Sequence, residues 1–182
     1  ISEMWALVHQ QLYNAGEAML TGDKELAYKV ISRERRVNAF ELKIDSDCED
    51  IIALYAPVAI DLRFVLAMYK INTNLERLGD FAESIARFAG NLPEGEPIDP
   101  QLVKETRVEE MLSELLSMIS LTKEAFEKES SEIASRIFLK DNLIDEINHN
   151  STAIIAKYIE EHKGSALAGL YMAGVIRKME RF

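Results

Sequence analysis

Cysteine is almost missing from this chain: among 182 residues there is only Cys48. A lone thiol cannot close an internal disulfide, which fits a reducing cytosol, and on or beside an apolar stripe Cys48 is expected to be structural, not a nucleophile. Proline is scarce too, with Pro57 alone and Pro93, Pro97 and Pro100 together, so the residue that breaks helices is absent from the long segments between. No segment reaches the roughly 18 uninterrupted apolar residues of a membrane span, and the first residues lack a signal-peptide pattern; no direct membrane insertion is expected. Positive charge is in deficit, 21 Lys and Arg against 31 Asp and Glu, a net of −10. That excess repels phosphate backbones and anionic lipid, which argues against nucleic acid and leaves cations or basic protein surfaces as partners. A glycine-rich phosphate loop, a Ser-His-Asp candidate and a Cys-x-x-Cys pair are all lacking.

What remains is 48% hydrophobic, ample for a core, and its period is helical. Trp5, Val8, Leu12, Ala15 and Met19 step by three and four, predicting a helix from Glu3 to about Leu20. Gly22 suits a left-handed helix end and Asp23 the N-cap of a second helix, from about Lys24 to Leu54. Its buried stripe reads Leu26, Val30, Val37, Phe40, Ile44, Ile51 and Tyr55. A second stripe, Ala27, Ile31, Glu34, Asn38, Glu41, Asp45 and Ile52, is apolar but for four oxygen-bearing side chains on one edge. Pro57 restarts the chain as the head of a third helix, whose stripe is Phe64, Met68, Ile71, Leu75, Leu78, Ala82, Ile85 and Ala89. Asp61 and Arg63 are expected to brace its first turn, where a carboxylate suits the helix dipole.

Glu76 points about 100° away from Leu75, and Asp80 lies one turn further along that face. Carboxylates at this spacing stand roughly 5–6 Å apart at Cβ and repel unless a cation neutralises them. Counting from a hairpin at Ala56, Glu34 and Asn38 are 22 and 18 residues back, and Glu76 and Asp80 are 20 and 24 forward. In an antiparallel pair those four are level, permitting one oxygen-rich cluster that prefers hard ions such as Mg, Mn, Ca or ferric iron.

Residues 91–101, rich in Gly, Pro and acids, read as a linker between a bundle over 1–90 and a second over 102–182. The second comprises a helix from Leu102 to about Lys128, a fifth capped by Ser130 or Ser131 and reaching about Glu161, a turn at 162–165, and a sixth helix from Ser165. Segment 30–38 matches 137–145 at an offset of 107 (141−34), and 75–78 matches 179–182 at 104 (180−76). The acids repeat with the helices, so Asp141, Asp145 and Glu180 are the expected second cluster, and His149 could join it. The fold class is therefore all-α, a tandem of two three-helix bundles with six long antiparallel helices. Ile1 is not a Met and Phe182 lies inside a periodic segment, so the natural ends, the C-terminal one especially, are expected to lie outside this chain.

Ala56-Pro57-Val58-Ala59-Ile60-Asp61-Leu62-Arg63 and Leu75-Glu76-Arg77-Leu78-Gly79-Asp80-Phe81-Ala82 resemble the two signatures of the PhoU family. The likeness extends over Gly22-Asp23, Leu26-Ala27, Val30-Ile31, Glu34 and Val37-Asn38 and the tandem layout. It departs at Ala56, where the family commonly has Gln, at Glu34, where it has Asp, and in lacking a second Gly-Asp. The resemblance implies multinuclear iron or zinc sites on Glu34, Asn38, Glu76 and Asp80 and on Asp141, Asp145 and Glu180. It further implies no catalysis, a cytoplasmic homodimer, and negative regulation of the phosphate-starvation (Pho) regulon by linking the phosphate transporter's ATPase subunit to a membrane sensor histidine kinase. Two alternatives are the PhoU-like cytosolic domain of a sodium–phosphate symporter and a di-iron carboxylate bundle. The second needs two Glu-x-x-His elements, and Glu146-x-x-His149 is the one present.

Overall fold

The structure, a computed structural model, describes residues 1–92, 98–162 and 166–181. Among these residues there are seven helices and no strand: α1 (Ser2–Thr21), α2 (Lys24–Tyr55), α3 (Ala59–Asn91), α4 (Pro100–Thr106), α5 (Val108–Glu127), α6 (Ser131–Glu161) and α7 (Ala166–Glu180).

Local chemistry sets most of the boundaries. Gly22 ends α1 at φ 72°, and the Asp23 carboxylate accepts from the Leu26 amide at 2.9 Å, covering a donor that the first turn of α2 cannot pair internally. Ser130 does the same for Ile133 at 3.2 Å. The α2–α3 turn is different. Pro57 stands just outside α3, whose N-cap is Val58, and no side chain caps the helix. Asp61 does stand in the first turn of α3, where its charge suits the helix dipole, but it makes no capping hydrogen bond, and both Asp61 and Arg63 are exposed. Instead Ala56 and Ala59 take left-handed φ values of 44° and 51°, a conformation that costs an L-residue about 1–2 kcal/mol.

The expected fourth helix is two. Arg107, at φ 55°, ends α4 and opens α5, and its guanidinium reaches Glu110 at 2.7 Å and Glu146 of α6 at 2.8 Å. Neither glycine nor proline marks this break, so the sequence carried no signal for it. The expected linker is shorter than 91–101 at both ends: Asn91 still belongs to α3 and Pro100 already to α4, while Ile98 between them is buried. The expected turn at 162–165 lies mostly outside the described residues.

α1 is the central rod. It packs against α2 and α3 on one side and α5 on the other, while α5, α6 and α7 pack together. Every residue of its predicted stripe is buried. Two buried hydrogen bonds fix it, from Trp5 Nε1 to the Ile119 carbonyl of α5 at 3.2 Å and from Gln11 Nε2 to the Val30 carbonyl of α2 at 2.8 Å. In the stripes of α2 and α3, Val30, Val37, Ile44, Leu75, Ala82, Ile85 and Ala89 are buried and Phe40, Met68, Ile71 and Leu78 partly so, but at the hairpin end Ile51, Tyr55 and Phe64 were expected inside and are exposed. Leu170 of α7 is also outside. α2 at about 48 Å overreaches α1, which has 20 residues against its 32; the last turns have nothing to bury against.

Candidate functional site

The site is built on the contact between α2 and α3. Gly79 makes their close approach: a Cβ there would lie 2.8 Å from Val37 Cγ1. One hydrogen-bond pair sets their register. The fully buried Asn72 donates through Nδ2 to Asp45 Oδ1 at 2.7 Å and to the Glu41 carbonyl at 2.9 Å. Midway between 45 and 72 is 58.5, so the two helices level at Val58, some two residues past Ala56. That shift brings Glu41 opposite Glu76, a neighbour the count from Ala56 missed.

Glu34, Glu41 and Glu76 are half-buried and Asp80 is exposed, and the three glutamates feel Asp80, Glu83 and one another closely enough to form one acidic ledge beside Asn38. Burial first, then Asp80, Glu41 and Glu34, raise the Glu76 carboxyl above its ordinary 4.5. Glu34 is raised by burial, then by Glu83 and Asp80, against a lowering hydrogen bond from the Asn38 amide and the Arg87 charge. Glu41 is raised by burial, Asp45 and Asp80. Among the described residues the ion pair on this ledge is that of Arg87 with Glu83, at 2.6 Å. The ledge is therefore mostly unneutralised, with half-buried glutamates repelling one another. Asn38 Oδ1 and Asn72 Oδ1 are both buried without a hydrogen-bond partner among the described residues, which is costly for an amide oxygen. Carboxylates beside orphaned amide carbonyls form a hard donor set that fits an oxygen-seeking cation. Among the described residues, however, no three Asp, Glu, His or Cys side chains already converge on a metal-holding point.

The second set lies on α6 (Asp141 and Asp145, one turn apart) and at the end of α7 (Glu180). Asp141 and Asp145 are exposed, as is His149, and Glu180 is half-buried; no hydrogen bond or ion pair among the described residues links them. Their neighbours are spent on structural pairs, Lys140 with Glu114 at 2.9 Å and Glu146 with Arg107. An open trough of about 720 Å³ between α3, α5 and α7 shares only Asp80 and Glu83 with the ledge; its walls run from Trp5 and Ile119 to Lys178 and Arg181. Lys178 also hydrogen-bonds Ser84, tying α7 to α3.

The ledge has a pH signature. Carboxyls raised by folding contribute stability that is full below the ordinary value near 4.5 and is lost as pH climbs through their folded values. Asp99, held low by hydrogen bonds from Tyr158 and the Gln101 amide, acts oppositely, as do Glu110 and Glu124 beside Arg107 and Lys128; their contribution is lost as pH falls. Metal-stripped protein is thus expected to melt higher near pH 5 than at pH 7, then lower again below about pH 4. Glu76→Gln is expected to flatten the upper limb and, by removing i,i+4 repulsion with Asp80, to add about 0.5 kcal/mol at pH 7, roughly 1–2 °C. An unchanged melting profile would mean that the charges do not interact.

A ledge of acids between two long helices, within a bundle made of helices alone among the described residues, defines an all-α class of protein with an oxygen-rich face. The PhoU domain model matches residues 1–89 and 108–182, and the chain belongs to the PhoU family. It is 32% identical over 183 residues to the phosphate-specific transport system accessory protein PhoU homolog of Aquifex aeolicus, covering 100% of this chain and 80% of that one. With the Escherichia coli K12 accessory protein PhoU the identity is 31%, over 98% of this chain and 74% of that protein. The crystal structure of PhoU from Pseudomonas aeruginosa superposes at a TM-score of 0.86 with 26% identity, covering 98% of this chain and 84% of that one. The phosphate transport system regulatory protein PhoU of Streptococcus pneumoniae gives 0.86 and 27%, over 98% and 82%.

Proposed function

We propose that this protein is a non-enzymatic, cytoplasmic accessory regulator of phosphate transport that represses the phosphate-starvation response when phosphate is plentiful. It acts as a scaffold, a homodimer of chains each built from bundles over 1–90 and 102–182, docking on the transporter's ATPase subunit and on a sensor histidine kinase. Support comes from kinship over essentially the whole chain with proteins named as phosphate-transport accessories. No helix among the described residues is long and apolar enough to cross a membrane, so the partners themselves would bring it to the bilayer.

The observation that carries the metal part is the unneutralised ledge with the orphaned Asn38 oxygen. Glu34, Asn38, Glu76 and Asp80 would hold the ion, iron or zinc by kinship and Mg, Mn or Ca by donor chemistry, with Glu41 close enough to contribute. Such an ion, when bound, supplies positive charge. The helices then keep their acids level without repulsion, and Gly79 keeps them close. Asp141, Asp145 and Glu180 are the second set by kinship alone.

Deleting the coding segment in its host and measuring phosphate uptake and a starvation-gene reporter in phosphate-rich medium tests the regulatory part. Derepression of both, reversed by the wild-type chain, is expected. Unchanged uptake and reporter would refute it.

A further inference from the structure

The hairpin end joining α2 and α3 is apolar where it is most exposed. Leu54 and Tyr55 at the end of α2 are 75% and 77% exposed, and Val58 and Ile60 at the start of α3 are 70% and 77%. Monomer surfaces scatter single apolar side chains; four large ones within seven residues make a patch. Its backbone is held in a costly form as well, since Ala56 and Ala59 are left-handed at an exposed turn where glycine would relieve the strain.

Charge around the patch selects its occupant. From Ile44 to Tyr69 the chain carries five acids, Asp45, Asp47, Glu49, Asp50 and Asp61, and one base, Arg63, a local net of −4 (1−5). Asp45 and Asp47 are engaged with Asn72 and Lys43, while Glu49, Asp50 and Asp61 are exposed beside the patch. A second copy would bring the same acids against these, on chains already at −10 each. An anionic bilayer is repelled in the same way.

We infer that the α2–α3 hairpin end is a docking plug: it inserts Leu54, Tyr55, Val58 and Ile60 into an apolar pocket of a partner protein whose rim is lined by Lys and Arg. The buried aromatic and aliphatic side chains supply affinity, and the acidic rim supplies orientation and on-rate. This rests on the docking reading above only in taking its two partners as probes.

The test measures binding of the full chain to the purified transporter ATPase subunit and, separately, to the cytosolic region of the sensor kinase. Leu54→Ser with Tyr55→Ser and Ile60→Ser is expected to weaken binding to at least one of them about tenfold or more while the melting temperature holds. Glu49→Lys with Asp50→Lys is expected to slow association and reduce its salt dependence, and Tyr28→Ser with Leu42→Ser, exposed elsewhere on α2, to change nothing. Wild-type binding that survives the triple substitution overturns the plug and leaves docking intact. Absence of wild-type binding to either probe overturns both. Co-sedimentation with phosphatidylglycerol vesicles, or self-association in the ultracentrifuge, that the triple substitution abolishes would instead give the surface to lipid or to a second copy.

Discussion

Replacing Gly79 by leucine is expected to destabilise the protein by about 3 kcal/mol or more, lowering the melting temperature by roughly 6–12 °C. The first added carbon would already lie 2.8 Å from Val37 Cγ1. Val37 is β-branched and buried at 1% exposure, so it has no free rotamer to retreat into, and the helices must move apart instead. Gly79→Ala separates steric from propensity effects, because alanine gains about 1 kcal/mol of helix propensity against the same clash. In a Val37→Ala background, where the clashing methyls are gone, Gly79→Ala is expected to be neutral or stabilising. A Gly79→Leu protein melting within 2 °C of wild type would show that α2 and α3 are not held at this distance. The consequence reaches the ledge: Glu34 and Glu41 on one helix meet Glu76 and Asp80 on the other only while the gap stays closed.

The second large effect is metal-dependent stability. Protein stripped with chelator and then given a ligand at about a hundred times its dissociation constant gains about 2.7 kcal/mol, here roughly 5–11 °C. Manganese, zinc and ferrous iron under anaerobic conditions are the ions to titrate. The variant Glu34→Gln, Glu76→Gln, Asp80→Asn is expected to melt at or above the metal-free wild type, because repulsion is gone, and to gain nothing from the ion. Asp141→Asn with Asp145→Asn is expected to keep the full gain of that ion, since those side chains are exposed on α6 and the ion is assigned to α2 and α3. Equal gains for wild type and the triple variant would place the ion elsewhere.

Much of the architecture was legible from period alone. The stripe of α1 is buried throughout, and Gly22, Asp23 and Ser130 mark helix ends as their chemistry dictates. Periodicity, however, reports which residues share a face and is silent about whether another element reaches them. That is why Ile51 and Tyr55 fell outside the core, their stripe continuing past the end of the shorter helix beside it, while Phe64 at the margin stacks on Phe126 yet stays exposed. The Arg107 break was invisible because it depends on Glu110 and on Glu146 of another helix. At the candidate site the sequence reading set Glu34, Asn38, Glu76 and Asp80 level with one another, taking the level of the hairpin from Ala56. The Asp45–Asn72 bond shows that it lies near Val58, which adds Glu41 and Glu83 as neighbours. Glu41 and Asp45 were visible as part of the acid stripe of α2. Asn72 was hidden because an asparagine at one step from a core position reads as a surface residue.

Elemental analysis of the protein purified without chelator tests the account most directly. Wild type is expected to retain stoichiometric metal, and Glu76→Gln with Asp80→Asn to lose it while remaining folded. Wild type devoid of metal, or both proteins carrying the same amount, would contradict it.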